Sequence, residues 1–181
     1  SYGNGGGVYV SWTAKFFMNG GKICGNTATC QGGGVYGSAL ARYNAYDTGG
    51  AAELNVSGSA TVIDNTAGGK NNNVYMTSST QKSGYETLYV KLDISDPFSG
   101  IIGVSTENRP VTGKPVVAAA GVTPNVDYSN HIVSDDTQYK IRHEGNMLML
   151  TTADEPNHQH TWDEGKITKQ PTTSEEGVKT F

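Results

Sequence analysis

Apolar residues along most of the chain come singly or in pairs, two positions apart, and are soon followed by glycine or asparagine. That spacing predicts very short β-strands over residues 8–10, 16–18, 22–24, 35–37, 54–56 and 61–63. Each is too short to form a stable hairpin by itself and far too short for a helix. The pattern also repeats. Gly5-Gly6-Gly7-Val8-Tyr9 returns 27 residues later as Gly32-Gly33-Gly34-Val35-Tyr36, and after a further 39 as Asn71-Asn72-Asn73-Val74-Tyr75-Met76. The stretches 16–28 and 54–67 both end in Asn-Thr-Ala before the next glycine or asparagine run.

A strand this short can bury its apolar side only by stacking on the same strand of the next repeat. The alignment predicts an interior ladder of Val8, Val35 and Val74, with Phe16 on Leu54, Met18 on Val56 and Ile23 on Val62. Asn26 and Asn65 fall at equivalent turns, placed to hydrogen-bond along the stack. The second repeat is longer, mainly through residues 42–52, which read as a loop inserted into one unit. The expected fold is all-β, a right-handed parallel β-helix whose turns use glycine at the sharp corners. Neither a strict six-residue period nor the Gly-Gly-x-Gly-x-Asp calcium repeat is present.

Beyond residue 80 broader strands are expected over 87–92, 101–104 and 115–120. Segments 131–133, 139–143 and 147–150 then read as antiparallel strands covering the open end of the stack. The expected organisation is β-helix units over 1–120, a terminal β cap over 121–152 and a flexible polar tail over 153–181. The first residues already lie inside a repeat, so the chain reads as part of a longer precursor with further domains.

Composition narrows the picture. Glycine accounts for 24 of 181 residues, about twice its usual share. Net charge is −4, and the three arginines, Arg42, Arg109 and Arg142, are scattered, which argues against a nucleic-acid partner. The longest purely apolar run, 116–120, is far short of the roughly 20 residues of a membrane helix. Cys24 and Cys30 have no further Cys or His at zinc spacing. They read either as two free, half-buried thiols or as a disulfide across one turn.

Glycoside hydrolysis needs two carboxyl groups facing each other. Asp47 and Glu53 flank the insert and Asp64 sits at a turn, but Gly25 or nothing charged stands at the equivalent places in the first repeat. Asp135-Asp136 forms a pair within the expected cap. His158 and His160, with Asp154, Glu155 and Asp163, could hold a metal or simply be solvated tail residues. The expectation is no catalytic residue, no metal and no cofactor. For ligand contact the insert is favoured: Arg42, Tyr43, Asn44, Tyr46 and Asp47 combine rings that stack on sugars with groups that bond hydroxyls. The alternative is that Tyr43 and Tyr46 only pack the loop onto its neighbour. The rest of the outer surface is expected to be small residues, such as Ser11, Thr13, Asn19, Ser57 and Thr61, that give a ligand little to grip.

The segments Gly5-Gly6-Gly7-Val8-Tyr9, Phe16-Phe17-Met18-Asn19-Gly20-Gly21-Lys22-Ile23-Cys24-Gly25-Asn26-Thr27-Ala28 and Asn72-Asn73-Val74-Tyr75-Met76 resemble coils of pectin-lyase-like β-helix repeats in large surface proteins of Gram-positive gut bacteria. Ile102-Gly103-Val104, Ser134-Asp135-Asp136 and Gly145-Asn146-Met147-Leu148-Met149-Leu150 resemble the closing segment of that family. The likeness covers about residues 3–151. From His160-Thr161-Trp162 to Phe181 the chain is similar to a small appended module in which a Cys-x-x-Cys-Gly element follows. The resemblance implies a secreted, cell-wall or cell-surface segment, a stalk or adhesin part that presents loops to host glycans or host proteins. The alternatives are a polysaccharide lyase or glycoside hydrolase with a reduced site near 42–53, and a spacer with no ligand.

Overall fold

A computed structural model of the chain describes residues 3–40, 49–79, 88–124, 126–153, 166–169 and 178–180. These residues form strands and turns and contain no helix, and their sheets do not close into a barrel.

The first repeat supplies β1 (Val8–Val10), β2 (Lys15–Met18), β3 (Lys22–Ile23) and β4 (Thr27–Ala28). The second supplies β5 (Val35–Gly37), the stem strands β6 (Ala39–Leu40) and β7 (Gly50–Ala51), then β8 (Glu53–Gly58), β9 (Thr61–Val62), β10 (Thr66–Ala67) and β11 (Lys70–Asn71). The third supplies β12 (Val74–Met76), a second stem of β13 (Ser78–Ser79) and β14 (Leu88–Tyr89), then β15 (Lys91–Phe98) and β16 (Ile102–Thr106).

Equivalent strands of successive repeats pair in parallel. Val8, Val35 and Val74 are in register across β1, β5 and β12, and Val104 of β16 extends the row. Phe16 lies opposite Leu54, Met18 opposite Val56 and Ile23 opposite Val62, and Leu92 and Ile94 continue the Leu54 and Val56 rows. The inward members of these rows form one apolar core, with Val35 and Val74 only 1% and 2% exposed. Burying a side chain of this size contributes roughly 1.5–3 kcal/mol before entropy is counted.

The short sheet made by β4 of the first repeat with β10 and β11 of the second gains no strand from the third. Strand β16 starts on β9, with Ile102 opposite Val62, and runs straight on beside β12. Gly103 permits this, because a Cβ there would collide with the side chains of Asn73 and Asp135.

The chain then closes with β17 (Val116–Ala120), β18 (Ile132–Ser134), β19 (Tyr139–Glu144) and β20 (Met147–Thr152). The hairpin of β19 and β20 packs antiparallel on β17, in keeping with the antiparallel pairing expected of 139–143 and 147–150. Strand β18 corrects the sequence reading. It is not antiparallel but pairs in parallel with β16, Ile132 opposite Ile102, so it extends the repeat sheet. Ile132 is fully buried there, and its apolar side gains more by continuing the interior row than by joining the hairpin. Segment 153–181 is also not wholly irregular: β21 (Lys166–Lys169) and β22 (Val178–Thr180) pair antiparallel.

A candidate ligand cleft at the end of a tyrosine ladder

In each repeat the valine that points inward is followed by a tyrosine, and side chains of a strand alternate between faces. Tyr9, Tyr36 and Tyr75 therefore stand outside, in register across β1, β5 and β12. Their rings stack, with centroids 5.2 Å apart for Tyr9 and Tyr36 and 5.9 Å for Tyr36 and Tyr75, the latter pair tilted by only 7°. Gly32 sits under this row at φ +66, where a Cβ would strike Tyr36. Burial raises the Tyr36 phenol above its ordinary value, helped by Tyr9 and Glu107. Burial also raises that of Tyr75, with Glu107 adding to the rise and Arg109 opposing it. Both rings are thus neutral hydroxyl-bearing groups at neutral pH.

The expectation that the outer face carries only small residues is overturned by this ladder. The signal lay in the thrice-repeated Val-Tyr pair: an inward valine forces its neighbour outward.

The ring row ends at Tyr75. The next position in register is Ser105, so one face of Tyr75 is covered by Tyr36 and the other looks toward a small residue. Beside Ser105 opens a cleft of about 730 Å³ whose walls include Tyr75, Thr106, Arg109, Lys70, Asn71 and Asp136. Arg109 and Lys70 are exposed and make no ion pair among the described residues. Asp136 Oδ1 accepts the Gln138 N–H at 3.0 Å, which holds its carboxylate in place.

A second ladder, half-buried at Asn26 and buried at Asn65 and Asn73, ends on Asp135 in the cleft wall. Asn65, fully buried, accepts the N–H and side-chain amide of Asn26 on its Oδ1 at 3.1 and 3.0 Å. Its own Nδ2 donates to the Ile23 and Ile63 carbonyls at 2.9 and 2.8 Å, and its N–H to Asn73 Oδ1 at 2.9 Å. Asn73 in turn donates its N–H to Asp135 Oδ2 at 2.7 Å and its side-chain amide to Asp135 Oδ1. Ser105 Oγ donates to the same carboxylate at 2.9 Å. The Asn26–Asn65 link matches expectation; its extension to Asn73 and Asp135 was missed, since only the fold brings residues 73 and 135 together. Burial pushes the Asp135 carboxyl above the usual range, against the downward pull of Asn73 and Ser105.

The other sequence candidates separate clearly. Arg42, Tyr43, Asn44, Tyr46 and Asp47 lie outside the described residues, as do Asp154, Glu155, His158, His160 and Asp163. The base of the insert is described: Ala39 pairs with Ala51 and Leu40 with Gly50. A second stem, Ser78 with Tyr89 and Ser79 with Leu88, lies against the first, and no repeat in the sequence announces it. Glu53 pairs with Lys15 at 2.7 Å and Asp64 with Lys22 at 3.5 Å, all on the surface. Cys24 and Cys30 are free thiols, and both are exposed rather than half-buried. Among the described residues no three His, Cys, Asp or Glu side chains gather as a metal site, and no helix could cross a membrane.

No family profile, no curated protein and no solved structure matches the chain.

Proposed function

We propose that this chain is a non-catalytic segment of a secreted bacterial surface protein, a stalk or adhesin part that contacts host glycans. In this reading the stacked repeats form a right-handed parallel β-helix of the pectin-lyase-like kind. The observation that carries it is the repeat-by-repeat parallel register of Val8, Val35, Val74 and Val104. A stack of this type grows by adding units without changing its interior, which suits a rigid spacer with long lateral faces. Two further observations support a binding rather than a cleaving role. Asp135 of the adjacent aspartate pair is engaged by Asn73 and Ser105, and Glu53 by Lys15. The outward tyrosine row offers aromatic surface of the sort that sugars contact.

The test is a glycan-array and mucin-binding screen of the whole chain beside a release assay on acidic polysaccharides. Binding without release is expected. Release of unsaturated or reducing ends that Asp47→Ala abolishes would overturn the reading and make the chain a polysaccharide-degrading enzyme.

A further inference from the structure

The cleft at the end of the tyrosine row holds two cationic side chains, Lys70 and Arg109, that make no ion pair among the described residues. Tyr75 supplies a ring face that no other ring covers, since Ser105 holds the next position in register. Around it, much of the hydrogen-bonding capacity is already used. Asn72 accepts the Gly32 N–H and donates to Gln31 Oε1, Thr106 Oγ1 donates to the Asn108 carbonyl, and Ser105 donates to Asp135. Two cationic donors remain on the wall. Arg109 presents up to five N–H groups and Lys70 three, and among the described residues neither side chain is paired. The remaining acidic group on the wall, Asp136, has one oxygen engaged by Gln138. A ligand that satisfies Arg109 and Lys70 must bring acceptors, and an anion brings the strongest. A volume of about 730 Å³ is ample for a sugar ring with its substituents.

We propose that this cleft binds a pyranose unit carrying a carboxylate or sulfate, its ring against the free face of Tyr75 and its anionic group between Arg109 and Lys70. The inference rests on the glycan-binding reading above and gives that reading a place and a chemical class. It moves the contact from the inserted 42–47 loop to the scaffold itself.

The test titrates the whole chain with methyl glucuronoside, glucose 6-sulfate and methyl glucoside, following binding by NMR. The two acidic sugars are expected to bind about tenfold more tightly than the neutral one, with affinity falling as salt is raised. Arg109→Ala and Lys70→Ala, both at exposed positions, should remove most of that advantage without changing thermal unfolding. Tyr75→Leu should weaken all three sugars; if it unfolds the protein, the two surface variants still decide. Binding of one acidic sugar and not the other supports the site and selects its anion. Equal affinity for all three sugars, indifferent to Arg109→Ala, overturns the inference and leaves the glycan reading intact. The same holds if array binding is lost in Tyr43→Ala/Tyr46→Ala but kept in Arg109→Ala. Absence of binding to every sugar and to the array overturns both.

Discussion

Two ladders climb the same stack of repeats and end within a few residues of each other, and they differ in how they end. The asparagine ladder of Asn26, Asn65 and Asn73 is half-buried at Asn26 and buried at the other two, and it finishes on a carboxylate, Asp135, that accepts two bonds from Asn73 and one from Ser105. The tyrosine ladder of Tyr9, Tyr36 and Tyr75 lies outside and finishes on nothing larger than Ser105. A buried polar row must be satisfied to its last member, because an unmatched donor there costs about 1–3 kcal/mol. A row of rings at the surface has no such requirement, and its last face is left for a ligand. The same register thus yields a structural device on one side of a strand turn and a candidate binding surface on the other.

The comparison breaks most visibly at Asn65. Asn65→Ala should cost about 3 kcal/mol or more in urea unfolding, since it strips partners from Asn26, Ile23 and Ile63 at once. A loss below about 1 kcal/mol would mean that the asparagines are not cooperative.

Asp135→Ala should cost less, about 1–3 kcal/mol, by leaving the two Asn73 donors unmatched. It carries a pH signature too. The Asp135 carboxyl is raised in the folded chain, so the native state binds its proton more tightly than the unfolded state does. Its contribution is greatest below the ordinary 3.8 and declines as pH rises through the raised value. Asp96, held low by Thr123 and Tyr128, contributes in the opposite sense, losing its share as pH falls below 3.8. Comparing unfolding midpoints of parent and Asp135→Ala across this acid range should therefore show the declining limb in the parent alone.

The tyrosine row should be milder. A double-mutant cycle at Tyr36 and Tyr75 is expected to give a coupling of about 0.5–1.5 kcal/mol, and Tyr9→Ala, at a residue 54% exposed, a smaller loss than Tyr36→Ala. Larger losses than at Asn65 would reverse the assignment of structural and binding roles. The smallest effect belongs to the surface: breaking the Lys15–Glu53 pair with Lys15→Ala should shift stability by no more than about 1 kcal/mol.

Much of this was readable in the chain before any coordinates. The inward rows of Val8, Val35 and Val74, and of Phe16 with Leu54, follow from repeated apolar positions, because a two-residue strand period leaves one way to bury them. The Asn26–Asn65 link was legible for the same reason. The tyrosine row is equally present in the repeat, one position after each inward valine, whereas the insert, residues 42–47, lies outside the described residues.

What the sequence determined by itself is periodic: strand positions, their inward and outward sides, and which residue stacks on which within the repeats. What only the tertiary structure decided is where that period stops. The run of β16 from β9 to β12 through Gly103, the parallel docking of Ile132 on Ile102 and the meeting of Asn73 with Asp135, 62 positions apart, have no repeat to announce them. A period encodes contacts between like residues at a constant offset. The end of a stack is built from unlike residues brought together once, by whichever arrangement buries the last apolar row and satisfies the last buried donor.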